Sequence, residues 1–152
     1  MKINMPNLSI ALALFAGGYS ACAQLVPLHS FTGGNDGSEP DADLAQASDG
    51  NLYGTAQYGG TNGTGAIFRI TTDGVFTSLY SFTAVKNGTN MDGDLPRASL
   101  APASDGNLYG TTYAGGTNGQ GAVFRVTTNG VLTKPPTEGR SGVAWGGSRN
   151  SV

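Results

Sequence analysis

The sequence predicts an all-β fold made of two antiparallel, four-stranded, blade-like repeats, an incomplete β-propeller-like array. The first observation is a duplication: residues 47–77 and 103–133 are identical at 23 of 31 positions, with a constant offset of 56. The second is that short runs rich in β-branched and aromatic residues alternate with glycine-containing turns. The third is composition, since only 12% of residues are charged and 25 of 152 are glycine. A helical domain has more charge, and no helical period follows the N-terminal segment.

Each repeat is expected to hold four short strands. In the first unit these are residues 44–47, 51–57, 65–71 and 75–82. Alternation in the second run places Leu52 and Gly54 on one face and Tyr53 and Thr55 on the other. Propeller repeats usually span about 40 to 50 residues. The glycine-rich connector 58–64 and its copy 114–120 account for the longer period.

Turn dipeptides separate the strands. Glycine adopts positive φ without steric cost, and Asp or Asn beside it bonds to its own backbone. We therefore interpret the acids at these positions as structural turn residues. The turn pairs are Asp49-Gly50, Asp73-Gly74, Asp105-Gly106 and Asn129-Gly130.

The repeat pattern also predicts the organisation of the chain. Residues 28–32 (LHSFT) match residues 79–83 (LYSFT), the last strand of a unit, at an offset of 51. An orphan outer strand at the N-terminus is expected to close a propeller ring by pairing with the final blade. The expected segments are 1–23 (signal peptide), 24–43 (orphan outer strand and acidic loop), 44–82 (unit 1), 83–98 (inserted loop), 99–133 (unit 2, incomplete) and 134–152 (aberrant, disordered tail).

The C-terminal segment departs from the repeat. Pro135 and Pro136 stand where the fourth strand of unit 2 should continue, and proline cannot donate to a ladder. We therefore expect unit 2 to lack that strand. The break also suggests a truncated fragment of a longer array, with a natural disordered tail as the alternative. Unpaired strand edges invite self-association, which makes blade edges one candidate for partner contacts.

The N-terminus is typical of an export signal. Lys2 precedes an apolar run over residues 8–16, and an Ala-x-Ala site ends at Ala23, so the mature chain should begin at Gln24. The nine-residue run is shorter than the roughly 20 residues that a membrane span needs. We expect a secreted or cell-surface protein without a transmembrane segment in the mature chain. Acylation at Cys22 is an alternative that Tyr19 disfavours, because a lipobox usually has Leu there.

A calcium site is the one metal interpretation that the sequence offers. Residues 36–43 hold four carboxylates, and Ca²⁺ takes six to eight oxygen ligands. The alternative is a solvated acidic loop, because loops collect polar residues. Binding would raise the melting temperature at millimolar calcium, whereas the loop interpretation predicts no shift. No other cofactor is expected. The candidate ligands are Asp36, Glu39, Asp41 and Asp43.

No catalytic residues are predicted. Paired-carboxylate hydrolysis needs two acids across a substrate, and a nucleophile needs a base. The only glutamates are Glu39 and Glu138, and the only histidine, His29, aligns with Tyr80. A net charge of −2 without a basic patch argues against nucleic acid as a partner.

Aromatic side chains offer the other binding interpretation. Tyr58 and Tyr113 are candidates for stacking against sugar rings if a propeller face exposes them. Tyr53 and Tyr109 are instead expected to pack between blades.

The repeated phrase SDGNLYGT…GGTNGxGAxFRxTTxG, with SLYSF and DGSEPDADLAQ between copies, resembles the GloVer tandem-repeat family. That resemblance implies an exported bacterial repeat protein and carries no catalytic or ligand residues. We therefore expect an exported, non-enzymatic interaction module of the cell surface or extracellular space. The alternatives are a piece of a glycan-active propeller enzyme and a non-functional truncated product.

Overall fold

Two four-stranded antiparallel sheets make up the fold. The computed structural model describes residues 25–86 and 90–133, and within these ranges it contains no helix. The predicted all-β class with two blade-like units is confirmed. The signal peptide and the C-terminal tail predicted above lie outside the described residues. The first sheet contains β1 (Ala45–Gln46), β2 (Leu52–Ala56), β3 (Ala66–Ile70) and β4 (Phe76–Ser81); the second contains β5 (Ala101–Pro102), β6 (Asn107–Thr111), β7 (Val123–Thr127) and β8 (Leu132–Thr133).

Both sheets follow the simplest order, with each strand paired to the next along the chain. Equivalent residues pair in the two units, as Tyr53 with Arg69 and Tyr109 with Arg125. The expectation that unit 2 lacks a fourth strand is wrong, because β8 pairs with β7 before the prolines are reached. Residues 132 and 133 keep their backbone donors, so the ladder begins normally there.

The hydrophobic core lies between the two sheets. One face of the first sheet contributes Tyr53 and Ile67, both fully buried. The facing side of the second sheet contributes Leu108 and Phe124, also buried. Phe82, which follows β4, packs edge-to-face on Phe124 with ring centroids 5.5 Å apart. The strand alternation read from the sequence thus assigns Tyr53 to the inter-sheet face.

Polar contacts reinforce this interface at its edges. The Tyr53 hydroxyl lies 3.4 Å from the Thr128 carbonyl, and the Thr55 hydroxyl donates to the Ala98 carbonyl at 3.2 Å. The Asp43 backbone N–H donates to the Ser99 hydroxyl at 3.1 Å. The first two bonds satisfy partly buried groups, and the third joins exposed residues at the rim of the single core that both units share.

The N-terminal segment takes a position that the sequence did not predict. Residues 25–31 form no strand in the structure, so the expected pairing with the second sheet does not occur in the described chain. Instead, Phe31 packs on Phe68 of the first sheet at 5.1 Å. This pair repeats Phe82 on Phe124, since the offsets of 51 and 56 relate the two pairs. The segment thus occupies the place of a preceding unit's last strand, because the apolar outer face of unit 1 attracts its aromatic rings.

Because the two units have the same fold, the inter-sheet packing can be tested at two equivalent residues, one buried and one exposed. Ile67 is fully buried in β3, whereas its counterpart Val123 in β7 is 65% exposed. We expect Ile67→Ala to lower the free energy of unfolding by about 2–5 kcal/mol through cavity formation. Val123→Ala, the matched control, should change it by no more than about 0.5 kcal/mol. Urea denaturation measures both, and equal losses would contradict the assigned core.

Candidate interaction surface

The phrase SDGNLY occurs once in each unit, and its spacing has a structural cause. The Asp49 carboxylate accepts bonds from the Asn51 backbone N–H at 3.1 Å and from the Asn51 amide at 2.9 Å. It also accepts the Tyr53 hydroxyl at 2.6 Å. Asp105 receives the same three donors from Asn107 and Tyr109. One acid thus fixes the turn and the following tyrosine in each unit.

These contacts lower the pKa of each aspartate and raise the pKa of the tyrosine that donates to it. The hydroxyl of Tyr53 is the main cause that lowers the pKa of Asp49, and bonds from Asn107 chiefly lower the pKa of Asp105. Burial, followed by the bond to Asp49, raises the pKa of Tyr53 to about 12. Gly50 adopts a φ of 81°, in the left-handed region that a turn of this kind uses. The other turn glycines, Gly74, Gly106 and Gly130, also have positive φ.

A second acid network anchors the N-terminal segment. The Asp36 carboxylate accepts the Thr32 backbone N–H at 2.9 Å and the Thr32 hydroxyl at 2.6 Å. Nε2 of His29 lies 3.1 Å from the same carboxylate, and the His29 ring stacks on Phe76 at 3.8 Å. The Thr32 hydroxyl is the main cause that lowers the pKa of Asp36 to about 2.

The same network recurs at the junction between the units. Asp92 accepts the hydroxyls of Tyr80 and Thr83 and the Thr83 backbone N–H. His29 and Tyr80 are equivalent at offset 51, and Asp36 and Asp92 at offset 56. His29 is therefore part of a hydrogen-bonded arrangement that recurs where β4 leads into the inserted loop.

The four calcium candidates are not assembled into one site. Asp36 is engaged by the network above, whereas Glu39, Asp41 and Asp43 are exposed. Over residues 25–86 and 90–133, no three His, Cys, Asp or Glu side chains converge as a metal ion would need. The calcium titration remains the test of that prediction.

The most distinctive surface is the outward face of the second sheet. It carries the residues that unit 1 buries, but here they face solvent. Val123 is 65% exposed where Ile67 is fully buried, and Thr111 is exposed where Thr55 is 2% exposed. Tyr109 is half-buried. We call this surface the tail face: Ala101, Tyr109, Thr111, Val123 and Arg125.

A polar groove adjoins the tail face. It encloses about 740 Å³, and its lining includes Arg97, Thr111, Tyr113 and Gln120. The Arg97 guanidinium lies 4.6 Å from the centre of the Tyr113 ring, a cation–π distance. The sequence analysis selected Tyr113 as a candidate but did not select Arg97. The one sequence feature that could have indicated Arg97 is that it replaces the acidic Asp41 of the equivalent loop.

The aromatic predictions divide between the two units. Tyr53 is buried between the sheets as predicted. The same prediction is wrong for Tyr109, which is half-buried because no sheet of the described residues covers its side of unit 2. Tyr113 is 67% exposed and Tyr58 is 37% exposed. Of the two glycan candidates, Tyr113 therefore presents the larger accessible ring, and it alone of the two lines the groove.

The comparisons with known proteins identify a repeat family. The family model of the Gloeobacter/Verrucomicrobia repeat matches residues 18–139 of this 152-residue chain. The chain therefore belongs to that family, and the predicted resemblance is confirmed. Comparison with curated proteins gave no match, and comparison with solved structures gave none either. In the described part of the chain, no helix is long and apolar enough to span a membrane.

The Asp36 network makes a prediction about acid stability. Because its folded pKa of about 2 lies below the ordinary 3.8, Asp36 contributes stability that is complete above pH 3.8. That contribution is lost as pH falls through 2. Asp36→Asn replaces one of the two acceptor oxygens by an amide donor and should lower the free energy of unfolding by on the order of 1 kcal/mol at pH 7. Its melting temperature should also fall less than that of the wild type between pH 5 and pH 2.

Asp41→Asn is the control, since it removes one negative charge at an exposed position of the same loop. Thermal melts from pH 7 to pH 2 compare the three proteins. Identical pH profiles for wild type and Asp36→Asn would contradict the assigned role of Asp36.

Proposed function

We propose that this protein is an exported, non-enzymatic interaction module that acts at the cell surface or in the extracellular space. The observation that carries the proposal is the tail face. Its side chains are chemically close to those that unit 1 buries against unit 2, yet they face solvent. A solvent-exposed sheet face with an apolar centre and arginines at its edge is typical of a docking surface.

Three of the acids, Asp36, Asp49 and Asp105, support a structural role. Asp36 and Asp49 each accept three hydrogen bonds from neighbouring groups, and Asp105 repeats the arrangement of Asp49. The pKa of each of these acids is lowered. A general acid needs a pKa near the working pH, which is the opposite shift.

Export is supported by the N-terminal sequence. The positive charge at Lys2, the apolar run 8–16 and the Ala-x-Ala site together form a cleavable signal. We expect the full chain, expressed in a bacterial host, to appear outside the cytoplasm with Gln24 at its N-terminus. Intact-mass spectrometry checks this, and a soluble cytoplasmic product that retains Met1 would contradict it. A lipid-modified Cys22 would indicate the lipoprotein alternative.

A second candidate function is glycan binding or turnover. The observation that favours it is the groove in which the exposed Tyr113 ring packs against Arg97. Aromatic rings with a flanking hydrogen-bond donor suit sugar rings. This candidate predicts that Tyr113→Ala weakens retardation in polysaccharide gels while Tyr58→Ala does not.

The interaction proposal can be tested without knowledge of the partner. A photo-crosslinking benzoylphenylalanine in place of Val123 should form adducts in the exported full chain. The same group in place of Val131 is the control. Val131 is 59% exposed, and its counterpart Val75 in unit 1 is equally exposed, at 58%, so this position is not covered by a neighbouring unit. Equal yields at both positions would overturn the tail face as a docking surface. Release of reducing sugar from polysaccharides would instead support the glycan-active alternative.

A further inference from the structure

We propose that the partner of the tail face is a second copy of this chain, docked head to tail. This inference rests on the proposed interaction function and names its partner. The complementary surface, which we call the head face, is the outer side of unit 1. Its exposed side chains are Leu44 and the flanking Leu28, around the half-buried Phe31, Leu52 and Phe76 and the buried Phe68 and Ile70.

The contact between units 1 and 2 supplies the template. Within one chain, Tyr53 and Ile67 of unit 1 are buried against the side of unit 2 that carries Leu100 and Phe124. On the tail face the corresponding side chains are Tyr109 and Val123. On the head face they are Leu44 and Phe68. Both halves of the internal interface are thus present a second time, on the outer sides of the two described sheets.

The head face contains a cavity where the template places a partner. It encloses about 230 Å³ between the N-terminal segment, the loop before β1 and the first sheet. Its lining includes Leu28, Phe31, Leu44, Phe68 and Phe76. At the internal interface the equivalent side chains belong to or pack against the buried core that surrounds Tyr53 and Ile67; they are Leu79, Phe82, Leu100, Phe124 and Leu132. Leu44 is 49% exposed whereas Leu100 is 4% exposed, so the head cavity is open where its counterpart is filled.

The groove beside the tail face has an occupied counterpart as well. In unit 1 the same place receives residues 94–98, the end of the inserted loop that leads into unit 2. The Leu95 backbone N–H donates to the Thr64 carbonyl at 3.3 Å. Pro96 sits against Gly65, where a Cβ would come 2.5 Å from its Cδ atom. In unit 2 the groove is lined by Thr111 and Gln120, the equivalents of Thr55 and Thr64.

The loop that fits this groove by sequence is residues 38–42, the equivalent of 94–98 in unit 1. It keeps the proline, as Pro40, and the alanine, as Ala42. Its backbone also repeats the unusual conformation of the template, since Glu39 has a φ of 53° and Leu95 a φ of 56°. A second copy can therefore present the same loop shape to the groove.

The charges of the two surfaces are complementary. The head loop carries the exposed Glu39, Asp41 and Asp43, whereas the groove is lined by the exposed Arg97. Asp41 and Arg97 are equivalent positions in the two loops, so the loop that a second copy would present carries a negative charge where the template loop carries a positive one. At the equivalent of the Asp43–Ser99 bond, the Ser99 N–H would meet the Asp43 carboxylate of the next copy, a stronger acceptor than a hydroxyl.

A contact between two different faces is heterologous, and successive copies either close into a ring or form an open filament. Propeller rings hold about four to eight blades, so a closed ring built from the two described units of each copy would contain about two to four copies. Association is expected to be concentration-dependent.

The test uses the exported full chain in sedimentation velocity over a range of concentrations. Val123→Asp on the tail face and Leu44→Asp on the head face should each raise the dissociation constant at least about 30-fold. Both side chains are about half exposed or more, so the fold should persist, as a thermal melt verifies. Val131→Asp is the matched control and should assemble like the wild type.

Mixing the two variants separates this mode of assembly from others. Each retains the face that the other lacks, so an equimolar mixture should form a 1:1 complex and nothing larger. Arg97→Glu should weaken assembly and Asp41→Arg should restore it. A tail-to-tail dimer would be broken by Val123→Asp alone, and assembly through strand edges would be broken by neither variant; both results would overturn the proposal.

A monomeric wild type at all concentrations would also overturn the second copy as partner. If such a monomer still forms adducts at position 123, the interaction module stands and its partner is a different molecule. If it forms none, the proposed function fails together with this inference.

Discussion

Packing of one sheet face on the next is the interaction on which the rest of this structure depends. Each sheet is only four strands wide and cannot bury its apolar residues alone. Tyr53 and Ile67 become fully buried only because Leu108 and Phe124 of the next unit lie over them. The burial of such side chains is worth roughly 1.5–3 kcal/mol each, which makes the inter-sheet core the main source of stability.

Hydrogen bonds to aspartates at the turns and junctions keep the sheets in place for that packing. Asp49 and its copy Asp105 hold the turn before the second strand of each unit, and Asp92 holds the junction that leads into unit 2. These acids therefore stabilise the backbone at the turns and junctions of the two units. The same use of carboxylates at Asp36 anchors the N-terminal segment on unit 1, where it covers part of an otherwise open face.

Because the two units share most of their sequence but have different neighbours, they act as controls for one another. Ile67 and Val123 occupy the same strand position, yet one is buried and the other faces solvent. The side chains of the tail face are thus suited to burial and lack a covering sheet in this structure. This mismatch between chemistry and environment supports the proposed interaction function and indicates the shape and charge of its partner.

The sequence by itself determined the fold class, the strand positions and the turns, because strand alternation and turn dipeptides are local signals that the duplication repeats. It also indicated that Tyr53 packs between blades. Only the tertiary structure decided that residues 28–31 lie on unit 1 without forming a strand, because that choice depends on long-range contact with Phe68 and Phe76. Only the tertiary structure showed that Tyr53 is buried while its copy Tyr109 is half-buried. It also showed that Arg97 packs against the Tyr113 ring. Identical local sequence carries no information about which copy has a neighbour, and burial depends on that neighbour.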